Sequence, residues 1–234
     1  MISTAQAINH LLKLSKKTTF ELIKIEDSLN RVLAKNLKSK CTHPPFNSSA
    51  MDGYALNLKE KILGKKFLVV GESAAGSEYR GIVKLGETVR IFTGAPLPQG
   101  TNCVVIQEDV SLNGQIITIE GPLENNNFVR NIGSDFNIDD IVQSSIRITP
   151  PIVSLLAAMN YLKIPVRKKP RVAIIATGDE LVLPGRKIPR NKIISSNSYG
   201  LAAMLESFGA FPSILPIARD NIQDIQRCLT TAMD

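Results

Sequence analysis

The spacing of apolar residues changes three times along this chain, and each change marks a new kind of structure. Near the start Ile8, Leu11 and Leu12 recur at helical spacing. Ser3 and Gln6 stand at the spacing of a capping box, in which each residue's side chain satisfies the other's backbone amide. These features predict a helix over about residues 4–16. Residues 20–25 alternate as a short strand does. Leu29, Val32 and Leu33 share one face of a predicted helix over residues 26–34, and residues 35–41 read as extended and polar.

From about residue 44 to 140, Gly, Pro and Asn punctuate short β-rich runs at 67–70, 88–92, 103–107 and 115–119. Asn113-Gly114 between two such runs is a strong hairpin signal. Strands this short and closely spaced predict a compact β domain, inserted between helical segments. Thr149-Pro150-Pro151 then opens a helix to about Tyr161, proline being tolerated in the first turn. Ile152, Leu155, Leu156 and Met159 form its expected buried stripe. Residues 165–170, basic and proline-containing, read as a linker.

Beyond the linker the pattern becomes α/β. Val172-Ala173-Ile174-Ile175-Ala176 is a continuous apolar run, as in a strand covered on both faces. A helix over 198–208 ends at Gly209. A second strand covers 211–217, and Asp220 with Gln223 caps a last helix to about Ala232.

Composition narrows the chemistry. The 234 residues suffice for one large or two modest domains, and 44% are hydrophobic, enough for a packed core. The net charge of +7 favours anionic partners. Scarce aromatics and the absence of a reader motif argue against nucleic acid, and Lys13, Lys16, Lys17, Lys59, Lys61, Lys65 and Lys66 read as a solvated face. Cys41, Cys103 and Cys228 are odd in number and widely spaced, which fits a reducing compartment and no structural zinc. Only His10 and His43 could serve a histidine cluster. No apolar run is long enough to span a membrane, and the N-terminus does not resemble a signal peptide, so the expectation is cytoplasmic.

Four segments could carry chemistry, and each has a plainer reading. Thr177-Gly178-Asp179-Glu180-Leu181 follows the buried strand, at the end where ligands collect in open α/β sheets. Asp179 and Glu180 are hard oxygen donors suited to Mg²⁺ and a phosphate, but an ordinary acidic turn has the same look. Met51-Asp52-Gly53-Tyr54 suits a polar ligand, or is a tight turn with Tyr54 in the core. Phe92-Thr93-Gly94-Ala95-Pro96 offers a hydroxyl and free amides to an oxyanion, or is a proline-fixed turn. In Val129-Arg130-Asn131-Ile132-Gly133-Ser134-Asp135, Arg130 can grip a phosphate and Asp135 a metal, or the two form an exposed ion pair.

In this order, across the whole chain, these segments resemble the molybdopterin molybdenumtransferase family. Asn47-Ser48-Ser49-Ala50-Met51-Asp52-Gly53-Tyr54-Ala55 is the most specific stretch, supported by Leu29-Asn30-Arg31-Val32-Leu33-Ala34 and Pro44-Pro45-Phe46. The resemblance implies insertion of molybdenum from molybdate into adenylylated molybdopterin, with AMP released and Mg²⁺ taking part. It implies Asp52, Thr93, Asp135 and Glu180 as catalytic residues, with Asp135 and Glu180 on the metal. Ser49, Met51, Gly94, Arg130, Thr177, Gly178, Asp179 and Asn197 are implied as substrate-binding. It also implies a homodimer whose active site is shared between subunits. The fold expected is mixed α and β and multidomain. Residues 1–38 and 140–168 would form an elongated helical dimerisation region, 39–139 an inserted β-rich domain, and 169–234 the first part of an α/β molybdopterin-binding-type domain.

Three departures qualify the resemblance. Ser195 stands where the family usually has an acid or amide, and Ser134 where it usually has Glu. The Gly-Gly-Val-Ser loop and final β domain of the family are not in the sequence. The alternative expectation is therefore a catalytically inactive dimerisation or scaffold remnant. A relative sharing only the α/β fold, such as a molybdopterin adenylyltransferase, would lack the Met51–Tyr54 segment and the inserted β region.

Overall fold

The computed structural model describes residues 2–121 and 126–233. The fold mixes α and β elements, and the chain divides into two compact units. One comprises residues 37–142 and 155–161; the other comprises 1–36, 143–154 and 162–234.

The first unit is built on a six-stranded sheet. Its spatial order is Cys103–Ile106, Gly53–Leu56, Glu87–Ile91, Lys66–Ser73, Ile116–Ile119 and Val110–Asn113. Neighbours are antiparallel except Lys66–Ser73 and Glu87–Ile91, which run parallel with an irregularity in register between Val69 and Glu72. Alternation splits the side chains between two cores, because successive strand residues face opposite ways. Tyr54, Leu56, Phe67, Cys103, Val105, Ile117 and Ile119 form one. Ala55, Ile91, Ala95 and Val104 form the other. The hairpin expected at Asn113-Gly114 is present, with Gly114 at φ +61°. Burial pushes the Cys103 thiol up to about 11, so it is a packed thiol and not a nucleophile.

Gly53 decides whether this sheet can close. A Cβ on it would lie 2.0 Å from the Val105 carbonyl oxygen. The Gly53–Leu56 strand can therefore pair with Cys103–Ile106 only while this position is bare.

The second unit opens with helix α1, Thr4–Leu14, whose capping box forms as the spacing predicts. Several expectations fail in this unit. Residues 26–34 are not helical beyond a single 3₁₀ turn, Ile25–Asp27. Asn30 adopts φ +64°, and the Asn30 and Leu33 amides donate to Ile148 and Ile146 instead of closing a helix. Of the expected apolar face only Leu33 is buried. Residues 165–170 are not simply a linker either. Lys163–Arg167 is a strand that pairs antiparallel with Phe20–Lys24 on one side. On its other side it exchanges hydrogen bonds with Val32 and Ala34.

Helix α2, Pro150–Ala158, follows its proline start and buries Leu156 and, just beyond its end, Met159, while Leu155 is exposed. In the α/β part, Arg171–Ile174 and Phe211–Ile214 run parallel, joined through helix α3, Asn197–Ser207, which packs on both. Gly209, at φ +85°, closes α3. The expectation that residues 172–176 are covered on both faces is not met. Ile174 is buried, but Ala173 is exposed, because among the described residues only one strand pairs with this run. Helix α4, Ile222–Met233, is capped by Asn221 and not by Asp220: the Asp224 amide donates to Asn221 Oδ1 at 2.9 Å. No helix among the described residues is long and apolar enough to cross a membrane.

Replacing Gly53 with alanine is expected to destabilise the sheet by about 3 kcal/mol, the upper range for overpacking a rigid site. A lower urea midpoint at unchanged m-value would show this; an unchanged midpoint would contradict the close approach.

Candidate functional site

The segment from Asn47 to Gly53 draws three of the sequence motifs together. Ser48 and Ser49 pair antiparallel with Arg130 and Val129. Ser49 is fully buried; its amide donates to Ala95 at 3.0 Å and its carbonyl accepts from Gly94 at 2.8 Å. The Ala50 amide donates to Phe128. Asn47 Oδ1 accepts from the Ile132 amide at 2.8 Å, and the Asn47 carbonyl from the Leu97 amide. Buried polar groups need partners of this kind, so each of these bonds fixes a loop.

Asp52 sits where these loops meet. Its Oδ1 accepts from the Thr93 amide at 2.7 Å and from the Thr93 hydroxyl at 2.8 Å. These two bonds, the backbone one first and the hydroxyl second, hold the Asp52 carboxyl below the usual carboxylate range, and the Arg90 charge adds to them. Arg90 lies 5.0 Å from the ring centres of both Tyr54 and Phe92 and donates to Gln107. Tyr54 itself is a core residue, 6% exposed.

One expectation about the Thr93 loop is overturned. Its amides are not free for an oxyanion: Thr93 donates to Asp52, Gly94 to Ser49 and Ala95 to Phe92. The Thr93 donors are both spent on Asp52 Oδ1. Met51, beside it, is 40% exposed.

The fourth motif does not form an Arg130–Asp135 pair. Arg130 is exposed, and Asp135 Oδ2 lies 3.7 Å from His43 Nε2. His43 stacks on Phe136, so the ring is held beside the carboxylate. Gly133, at φ +70°, makes the turn that brings Asp135 there.

Thr177, Gly178, Asp179, Glu180 and Asn197 lie in the other compact unit. Thr177 forms a parallel bridge with Ala218, so the loops after the two parallel strands are adjacent. Gly178, at φ +148°, has the Glu180 carboxylate so near that a Cβ would lie 2.7 Å from it. Asp179 and Glu180 are exposed. A cavity of about 420 Å³ is lined by Gly178, Asp179, Leu181, Lys192, Ile217 and Arg219. Beside it, a second cavity of about 460 Å³ includes Thr177, Ser195, Ser196 and Asn197, the last opening α3. Lys192 and Arg219 escaped the sequence reading. The signal for Arg219 was its place after the second strand, equivalent to that of Thr177 after the first. Lys192 donates to the Asp179 carbonyl, a contact no spacing announces.

Among the described residues no three His, Cys, Asp or Glu side chains are grouped to hold a metal ion. The carboxylates at Asp52, Asp135 and Glu180 are three separate positions. At the strand ends, Asp179 shares one cavity with two cations, Lys192 and Arg219.

Residues 2–160 match the family profile described as MoeA N-terminal region (domain I and II). A molybdopterin molybdenumtransferase of Haemophilus influenzae is 31% identical over 236 aligned positions, covering 99% of this chain and 58% of its own length. Another from Nostoc sp. is 31% identical, covering 93% of this chain and 52% of its own. The crystal structure of the molybdopterin biosynthesis MoeA protein from Pyrococcus horikoshii OT3 superposes with a TM-score of 0.91 at 27% identity, over 100% of this chain and 64% of that one. The chain thus spans little more than half the length of these curated relatives.

The Asp52 carboxyl titrates lower in the folded chain than unfolded, so its stabilisation is present above the unfolded value and is lost as pH falls through the folded one. Thr93→Val removes the hydroxyl donor and keeps the amide. Carbon-detected NMR of the Asp52 carboxyl is expected to show its titration moving part of the way back up, with Thr93→Ser restoring it. No movement would disprove the hydroxyl's share.

Proposed function

The chain belongs to the family of MoeA N-terminal regions, and on that premise we propose that it acts in molybdenum cofactor biosynthesis, in the insertion of molybdenum from molybdate into adenylylated molybdopterin with release of AMP. The observation that carries this reading is the Asp52–Thr93 pair, built by the most family-specific segment of the sequence. The proposed assembly is a cytoplasmic homodimer whose active site is shared between subunits. The division into a dimerisation region, an inserted β domain and a molybdopterin-binding domain belongs to the same proposal.

Both substrates are anions, so the residues that receive them must supply or recruit positive charge. At the strand ends Lys192 and Arg219 flank Asp179 in one cavity. That set suits a phosphate, with Gly178 admitting it close to the backbone. Thr177 and Asn197 line the adjoining cavity, where the rest of the adenylylated substrate would lie. The donor set also fits Mg²⁺, which takes one or two carboxylates and completes its shell with water and substrate phosphate. Glu180 is the proposed ligand in this unit and Asp135 the proposed ligand in the other. A bound cation would neutralise charge on the departing phosphate.

Asp52 has a different task. Held ionised, it repels a bare oxyanion and is a weak base. Its free oxygen is suited to accept a hydrogen bond or hold a cation near the molybdate, while Thr93 fixes its direction. Ser49 and Gly94 form the rigid support behind that pair, and Met51 offers an apolar contact beside it. Arg130, exposed on the strand paired with Ser48, is proposed to take a phosphate oxygen.

Titration of the chain with adenylylated molybdopterin, followed by pterin fluorescence, tests the reading. Saturable, Mg²⁺-dependent binding is expected, weakened about tenfold in Glu180→Gln. Molybdate-dependent AMP release should slow by about 100-fold or more in Asp52→Asn, the effect of losing one oriented electrostatic group. Absence of binding, or an unaltered rate in Asp52→Asn, would refute the assignment.

A further inference from the structure

Two basic runs about 150 residues apart in sequence meet in one groove. Lys16, Lys17, Arg31, Arg167, Lys168 and Lys169 all line a cavity of about 450 Å³, and among the described residues no carboxylate lines it. The framework is ordered by hydrogen bonds between the two runs. The Thr18 hydroxyl donates to the Lys168 carbonyl at 2.8 Å, and the Lys168 amide to Thr19 at 2.9 Å. Arg167 Nη1 donates to the Thr18 carbonyl at 2.9 Å. Arg31, its side chain 14% exposed, is fixed by Glu21 and by the Arg167 carbonyl. The arginines are thus held in place, and Lys16, Lys17, Lys168 and Lys169 are the exposed charges around the rim.

The walls are not polar throughout. Val32, Pro170 and Phe208 also line the groove, and Phe208 is 73% exposed. A phenyl ring left this open beside a cationic rim is a place for a flat apolar group to stack. Asn30 and Ser145, two further lining residues, hold φ values of +64° and +66°. Left-handed backbone at non-glycine residues is unfavourable and gathers at functional sites.

The groove is separate from the acidic strand ends. Pro170 and Phe208-Gly209 precede the parallel strands Arg171–Ile174 and Phe211–Ile214, whereas Thr177 and Arg219 follow them. The two cavities share no lining residue. The volume is that of a small-molecule site.

We propose that this groove binds a nucleoside triphosphate, with the phosphates among Lys16, Lys17, Lys168 and Lys169 and the base against Phe208. The phosphates satisfy the four lysines, which make no ion pair among the described residues, and the base covers the exposed ring. Nothing in this assignment depends on the molybdenum chemistry.

Calorimetric titration of the whole chain with ATP and with inorganic tripolyphosphate decides it. ATP is expected to bind one-to-one and at least about fivefold tighter than tripolyphosphate, the contribution of one stacked base. The K168E/K169E double variant should lose at least about tenfold in affinity for both anions. Phe208→Ala should weaken ATP alone, and Glu180→Gln should change neither. Equal affinities for ATP and tripolyphosphate would overturn the proposal. So would ATP binding that survives K168E/K169E but is lost in Glu180→Gln, or tighter binding of a polyglutamate peptide or anionic phospholipid vesicles than of ATP.

Discussion

One oxygen atom organises the most distinctive part of this molecule. Asp52 Oδ1 takes both donors that Thr93 can offer, and the surrounding loops are placed so that it can. Ser49 is locked to Gly94 and Ala95, which sets the Thr93 turn. Gly53, the residue after the aspartate, lies against the Val105 backbone, which sets the direction from which Asp52 leaves the sheet. Each restraint reaches the carboxylate from a different stretch of sequence. A change at any of them moves the same atom.

A loop whose amides are internally satisfied behaves differently from an anion cradle. It cannot solvate an incoming oxyanion, and it does not need to rearrange when a ligand arrives. Such preorganisation is how enzymes avoid reorganising dipoles at the moment of reaction. It also fixes the sign of the site: an ionised carboxylate, supported by Thr93 and by Arg90 wedged between two rings. Any anion brought to it must come with a cation or a bound proton. The strand-end loop of the other unit has a different make-up, with Asp179 in one cavity with Lys192 and Arg219.

How legible this was in the sequence depended on the range of the interactions. Local devices could be read directly. Ser3–Gln6, Asn113-Gly114, the prolines of α2 and Gly209 act within a few residues, and the structure has each of them. Residues 26–34 could not be read, because Leu29, Val32 and Leu33 mimic a helical face while Asn30 turns left-handed and the backbone bonds to residues 146–148. Lys163–Arg167 was hidden because its partners stand some 140 residues earlier and Pro165 cannot donate to a strand ladder. At the site, the motif residues could be named without knowing their bonds. Reading Thr93-Gly94 as an open oxyanion loop failed because the competing acceptors, Asp52 and Ser49, come from a distant segment.

Net charge shows the same limit from another side. A surplus of +7 says only that anions are welcome somewhere. Lys16 and Lys17, read alone, are a solvated helix end. The pairing of Phe20–Lys24 with Lys163–Arg167 places them by Lys168 and Lys169, turning two ordinary runs into one groove. The same parallel strands then carry different chemistry at their two ends: a cavity lined by lysines and arginines where they begin, and Asp179 in one cavity with Lys192 and Arg219 where they finish. A lysine moved from the first place to the second would leave the composition unchanged and alter both sites. Where each set of charges stands is therefore decided by strand pairing.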